Sequence, residues 1–221
     1  MRYPLTVFCN SIGFYKEEMP HFEGAFLQKL VESNDIPVTG SWLPGMTIID
    51  VLNRMDSHSR YWSNIVIGVG STEAITRPLK EILKLFLTYL HSYGANVYFY
   101  KYLIDRVQEM IQDEGLYYHF LTPHLFEKIY AEVAKKVEGG KGIFLGLCEP
   151  NPPEGKERWF EQAGIYNDII ERVTKGNDHY FVDTWNITKE CVVDSTHLTE
   201  EGHILLYEEI KKVLILKGDS A

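Results

Sequence analysis

The chain is 221 residues long, 45% hydrophobic and 24% charged, with a formal net charge of −9. That length suits one domain with a substantial core, and the composition is that of an ordinary globular protein. The acidic balance argues against a general nucleic-acid binder, and no apolar run is long enough to span a bilayer. The N-terminus carries Arg2 but no apolar signal-peptide core and no small-residue cleavage site, so the expected location is the cytoplasm. Cys9, Cys148 and Cys191 are scattered without a Cys-x-x-Cys pair, which suggests neither a disulfide framework nor a zinc site.

Leu5 to Phe8 is a short β-prone run that stops at the turn-like Cys9-Asn10-Ser11-Ile12-Gly13. Phe22 to Val31 has helical spacing, with Phe22, Ala25, Phe26, Leu27 and Leu30 apolar. A second strand includes Ile36 to Val38, and Thr47 to Met55 reads as a short helix after a glycine turn. Ile65 to Val69 is a fully apolar central strand ended by Gly70. Leu79 to Tyr93 has strong helical periodicity, and Val97 to Ile111 is read as a further helix although Val97-Tyr98-Phe99-Tyr100 is also β-prone. Pro123 to Val137 is a helix closed by Glu138-Gly139-Gly140. Ile143 to Leu147 is the fourth strand, left through the proline-rich loop Cys148 to Pro153. Trp159 to Val173 is a helix, and His179 to Val182 is the last strand. A final helix, capped by Thr199 with Glu200 and Glu201 at its positive end, runs to about Leu216. Alternating strands and helices imply a parallel sheet with helices on both faces.

Chemistry concentrates at the two ends of the chain. Asp194-Ser195-Thr196-His197 puts a carboxylate three residues before a histidine, just ahead of a capped helix. A carboxylate accepting from one ring nitrogen fixes the tautomer and leaves the other nitrogen facing a nucleophile. Ser11, just past the C-terminal end of the first strand, sits where open α/β sheets place ligands. A serine becomes a nucleophile when a nearby base takes its proton. Alone, Ser11 is a turn serine, Asp194 a loop residue and His197 a structural histidine; together the functional reading is the stronger.

With these residues the chain resembles the SGNH (GDSL-type) hydrolase superfamily, through ordered blocks that cover most of its length. The first is Cys9-Asn10-Ser11-Ile12-Gly13, where the usual Gly-Asp-Ser reads Cys-Asn-Ser. The second is Leu43-Pro44-Gly45-Met46-Thr47-Ile48-Ile49-Asp50. The third, Ile65 to Glu73, has Thr72 and Glu73 where the family has Asn-Asp, and the last is Asp194 to His203. Tyr166-Asn167 and Val182-Asp183 resemble the family's later helix and final strand.

The resemblance implies a single three-layer α/β/α domain over 1–221, with a flavodoxin-like five-stranded parallel sheet. A helical insertion at about 77–122, between strands three and four, would cover the site or make a homo-oligomer contact. It implies a serine esterase or acyl hydrolase acting on a small acyl ester, with an O-acetylated carbohydrate as the substrate class, and no metal or organic cofactor. Ser11 would be the nucleophile, His197 the base and Asp194 its orienter. The Ser11 and Gly45 backbone N–H groups, with the Thr72 side chain, would form the oxyanion hole. Asn10, Glu73 and Arg77 are candidates for substrate contact. Two alternatives remain: an acyltransferase, if the insertion excludes water and binds a sugar hydroxyl, and a hydrolase-like binding protein without turnover, motivated by Thr72 in place of asparagine and by the altered first block.

Other features weigh less. Gly68-Val69-Gly70-Ser71-Thr72 could cradle a phosphate but completes no nucleotide fingerprint. Cys9 reads as a small buried residue, and His203 as a packing or hydrogen-bonding residue. His197 and His203 are six apart, which does not suit a zinc pair on one helical face. Gly218-Asp219-Ser220 spells the family's nominal motif but follows no strand and reads as tail. The aromatics Tyr98, Phe99, Tyr100, Tyr102, Tyr117, Tyr118 and Phe120 form a helical packing face, a lid or a subunit contact.

Overall fold

The computed structural model describes residues 4–10, 12, 15–16, 20–21, 25–33, 37–43, 45–57, 64–75, 77–78, 117–118, 120–137, 142–151, 158–193 and 197–218. The chain divides into two compact units, Met1–Ala74 with Leu121–Ala221, and Ile75–Phe120. The first unit begins with β1 (Leu5–Cys9), β2 (Tyr15–Lys16), β3 (Pro20–His21), α1 (Phe26–Ser33), β4 (Val38–Trp42), α2 (Ile48–Asp56), β5 (Ile65–Gly68) and α3 (Ser71–Ala74). The second unit contributes β6 (Arg77–Pro78) and β7 (Tyr117–Tyr118). The first resumes with α4 (Pro123–Lys135), β8 (Ile143–Leu145), α5 (Arg158–Gly176), β9 (Tyr180–Val182), α6 (Thr184–Ile187) and α7 (Glu200–Gly218).

Five strands form one sheet in the order β4-β1-β5-β8-β9. Every pairing in it is parallel, with Val7 opposite Gly40 on one side and Val66 on the other. This is the flavodoxin-like order, in which the connections from the first strand run to opposite sides. Leu5, Val7, Cys9, Val66, Ile143, Leu145 and Val182 form one buried face, packed with Phe26, Leu27 and Leu30 of α1 and Leu206, Tyr207 and Ile210 of α7. On the other face Phe144 packs on Tyr130, which meets Phe126, which meets Tyr166. These aromatics join β8 to α4 and α5, and α2 packs beside α4. The unit is therefore a three-layer α/β/α structure.

Several boundaries differ from the sequence reading for local reasons. The second strand is described over Val38–Trp42, further along the chain than expected, and Ile36 lies outside the described residues. It is an edge strand with Thr39 and Gly40 exposed, so it lacks the apolar pattern of a central strand. The fourth strand ends at Leu145, because Leu147 N–H leaves the ladder for Asn167 Oδ1 at 2.8 Å. The short helices α3 and α6 were not expected, and α5 runs three residues past Val173. In the second unit Arg77 starts no helix; it pairs with Tyr118 in a two-residue antiparallel ladder. Tyr117 and Tyr118 thus lie on a strand rather than a helical face. The helices expected over Leu79–Tyr93 and Val97–Ile111 lie outside the described residues, as do Asp219 and Ser220.

Among the described residues no helix is long and apolar enough to cross a membrane.

Candidate active site

Because the five strands are parallel, the segments that follow them all leave the same edge of the sheet. The residues after β1, β4, β5 and β9 bring in the Ser11, Gly45, Thr72 and His197 segments respectively. The crevice where the strand order reverses, beside β1, is where open sheets of this kind bind ligands.

Asn10 shapes the first of these segments. Its backbone N–H donates to Gly68 O at 3.1 Å, which ties the end of β1 to β5. Its side-chain Oδ1 accepts from Ile12 N–H at 3.2 Å, an Asx turn that brackets position 11. Its Nδ2 donates to Ser71 Oγ at 2.8 Å and so fastens the turn to α3. Asn10 is only 2% exposed. Its side-chain oxygen and nitrogen both have partners inside the protein, which gives Asn10 a structural role in this segment. Ser11 itself lies outside the described residues.

Gly45 is the third residue of the turn Leu43-Pro44-Gly45-Met46, closed by Met46 N–H donating to Leu43 O at 3.0 Å. Its φ of 77° is the left-handed value that the third position of a type II turn demands, which favours glycine. Gly45 is exposed, and a Cβ built on it would meet nothing within 4 Å. Leu43 N–H donates to Cys9 O at 3.2 Å, so this turn is held to the end of β1.

Thr72 lies on α3, whose first helical bond runs from Ala74 N–H to Gly70 O at 2.9 Å. Gly70 has φ 131°, a backbone conformation that strains any larger residue, and a Cβ there would press on the side-chain ends of Ile170, Leu147 and Phe126 at 3.2–3.3 Å. Thr72 is 8% exposed.

Glu73, next to Thr72, is a buried carboxyl. It is 0% exposed, and its Oε1 accepts from Ile48 N–H at 2.6 Å. No surface of it is open to a substrate. Burial pushes its carboxyl up to about 7, against the opposing pull of the Ile48 N–H, and Asp50 adds to the rise. Arg77 belongs to the second unit, and its side chain lies outside the described residues.

The His197 segment is a tight reversal. Val192 bridges Leu198, Val193 N–H donates to His197 O at 2.7 Å, and Thr199 N–H donates to Cys191 O at 2.8 Å. Thr199 Oγ1 then caps α7 by accepting from Gly202 N–H at 3.1 Å. His197 is half-buried. Leu198, next to it, and Ile12, next to Ser11, are buried in one cluster with Cys9 and Cys148. Asp194 lies outside the described residues. His203 is turned inward: Phe26 N–H donates to its Nδ1 at 3.4 Å and its ring stacks on Phe26.

Cys9 is fully buried and its thiol is pushed up by that burial, so it suits packing rather than attack. Among the described residues, no three His, Cys, Asp or Glu side chains are grouped as a metal ion would need. Sequence reasoning missed Ser71, Ile48 and Asn167 as partners, each joined to its site segment by a tertiary hydrogen bond.

No protein-family model matches the chain, and no curated protein sequence matches it. Solved structures do. A lipase/acylhydrolase from Enterococcus faecalis is similar at TM-score 0.62 and 15% identity, over 99% of this chain and 97% of that one. A member of the lipolytic protein G-D-S-L family from Veillonella parvula DSM 2008 is similar at TM-score 0.63 and 10% identity, over 96% and 98%. An acetyl xylan esterase, AlAXEase, is similar at TM-score 0.59 and 15% identity, over 95% and 98%. With its sheet order, its carboxyl-edge segments and these likenesses over nearly its whole length, the chain has the fold of the SGNH (GDSL-type) lipolytic hydrolases.

Proposed function

We propose that this protein is a serine-dependent hydrolase of small carboxylic esters. One observation supports the reading most: the turn that brackets Ser11 is fixed to α3, which bears Thr72, by the bond from Asn10 to Ser71. The Gly45 turn is fixed to the same strand end by the bond from Leu43 to Cys9. A nucleophile and two oxyanion donors on such tied segments would be preorganised, which is the main source of acyl-transfer catalysis. The lipase, acylhydrolase and acetyl xylan esterase of like fold agree with an acyl ester as substrate, and the last with an O-acetylated carbohydrate.

In this mechanism His197 takes the Ser11 hydroxyl proton as Ser11 Oγ bonds to the ester carbonyl carbon. Asp194 holds the imidazole in the reactive tautomer. The Ser11 and Gly45 N–H groups and the Thr72 hydroxyl donate to the oxyanion. Collapse breaks the carbon–alkoxy bond, and the alcohol leaves with the proton from His197. Water then gives a proton to His197 as its oxygen bonds to the acyl carbon; the bond from that carbon to Ser11 Oγ breaks, His197 returns the proton to Oγ, and the acid departs.

The test is acyl-enzyme capture. Short reaction times with p-nitrophenyl acetate should give a burst of phenol and an acetylated peptide containing Ser11. Phenol release with no acylated Ser11 peptide would contradict the mechanism.

Thr72 carries a separate prediction. Thr72→Val keeps the side-chain shape and removes the hydroxyl. It should lower kcat by about 10²-fold, the usual cost of one oxyanion donor, with little change in KM. Steady-state kinetics read it directly, and an unchanged kcat would remove Thr72 from the oxyanion hole.

A further inference from the structure

We infer that Glu73 is a positioning residue that locks the Gly45–Ile48 segment to α3, setting two oxyanion donors at a fixed separation. This rests on the hydrolase reading above and adds a residue to it.

Glu73 follows Thr72 directly, and its Oε1 accepts from Ile48 N–H, three residues beyond Gly45. The segment it grips is rigid. Met46 N–H closes the Gly45 turn onto Leu43 O. Thr47 and Asp50 form a reciprocal cap, with Thr47 N–H donating to Asp50 Oδ2 at 2.9 Å and Asp50 N–H to Thr47 Oγ1 at 3.3 Å. A shift of Ile48 relative to α3 would therefore carry the Gly45 turn with it. One buried bond joins this body to the helix that bears Thr72.

The group is costly where it sits. Its second oxygen, Oε2, has no hydrogen-bond partner among the described residues, and neither does the hydroxyl of Tyr130. The groups that face it are Asp50 on α2 and the phenols of Tyr130 on α4 and Tyr166 on α5. The Tyr166 hydroxyl is turned to Leu121 O. A buried ionisable group is weak evidence for a stabilising role, and an apolar side chain of the same volume would fill the space. What such a side chain would not supply is an acceptor for Ile48 N–H. The positioning role accounts for an acceptor oxygen at this site.

The experiment compares Glu73→Met with Glu73→Gln in the full chain. Methionine keeps the volume and removes the acceptor; glutamine keeps an acceptor oxygen and removes the acid. With p-nitrophenyl acetate, Glu73→Met should lose about 10²-fold in kcat, the effect of an ångström-scale misplacement, while KM stays within about twofold. Its thermal midpoint should remain within a few degrees of wild type, because the core volume is conserved. Glu73→Gln should keep kcat within about threefold. Amide exchange at Ile48 should be faster in Glu73→Met and near wild type in Glu73→Gln. Equal kcat in wild type and Glu73→Met, or equal losses in both variants, would overturn the inference. If wild type hydrolyses no ester, the hydrolase reading falls alone, and exchange at Ile48 still decides the clamp: unchanged protection in Glu73→Met overturns it.

Discussion

Ser11→Ala should lower kcat/KM for a small acyl ester by about 10⁴–10⁶-fold, and His197→Ala by a similar factor. In the proposed mechanism the two residues act as a unit: without the hydroxyl there is nothing to activate, and without the imidazole the hydroxyl remains a weak nucleophile. The double variant should therefore be little worse than either single one. A residual rate of about 10³–10⁴ over water should persist, because the oxyanion donors and the binding surface remain. The alanine should leave the fold intact. The Asn10 side chain, which Ser11→Ala leaves in place, holds Ile12 N–H and Ser71 Oγ. Thermal midpoints within a few degrees of wild type would separate lost chemistry from lost structure. Additive losses in the double variant would mean that Ser11 and His197 act independently, which the triad mechanism does not allow.

The second large effect is on stability against pH. The Glu73 carboxyl is raised from an ordinary 4.5 to about 7, mainly by burial. The unfolded chain therefore ionises this group first as pH rises. Below pH 4.5 both states are protonated and no penalty exists; between 4.5 and 7 the unfolded state gains by ionising while the native state does not; above 7 the penalty is constant. Its full size is about 3 kcal/mol against the native state. The sign is opposite to that of a salt-bridged carboxylate, which stabilises as pH rises. Glu73→Gln has no such ionisation. Urea unfolding at pH 4.5 and pH 8 should show the variant gaining about 3 kcal/mol relative to wild type between the two. A difference that does not change with pH would mean that Glu73 ionises normally in the folded protein.

The sequence carried the central strands because they are buried on both sides. Leu5–Cys9, Ile65–Gly68 and Ile143–Leu145 are largely apolar runs for that reason, and their alternation with helical stretches marks a parallel sheet. The edge strand Val38–Trp42 was harder to see, since exposed Thr39 and Gly40 give it no apolar stripe. The helix Ser71–Ala74 is too short for any periodicity and depends on the left-handed Gly70. At the site, motif order named segments that the parallel strands bring to one edge of the sheet, but it carried no information on how the side chains within them are bonded. Asn10 and Glu73 look like substrate contacts in a list of polar residues near an expected nucleophile. Their partners, Ser71 and Ile48, stand 61 and 25 positions away, and only packing brings them together. Local spacing encodes which segments meet; the tertiary hydrogen bonds decide which polar groups remain free to do chemistry.

The most direct test of the central claim is labelling of the folded chain by a fluorophosphonate, read by intact mass and peptide mapping. The probe reacts with a serine only when a base activates it and donors stabilise the developing negative charge. The account predicts one adduct, on Ser11, that disappears in His197→Ala. Folded wild type that takes no label, or takes it at another residue, would contradict the account.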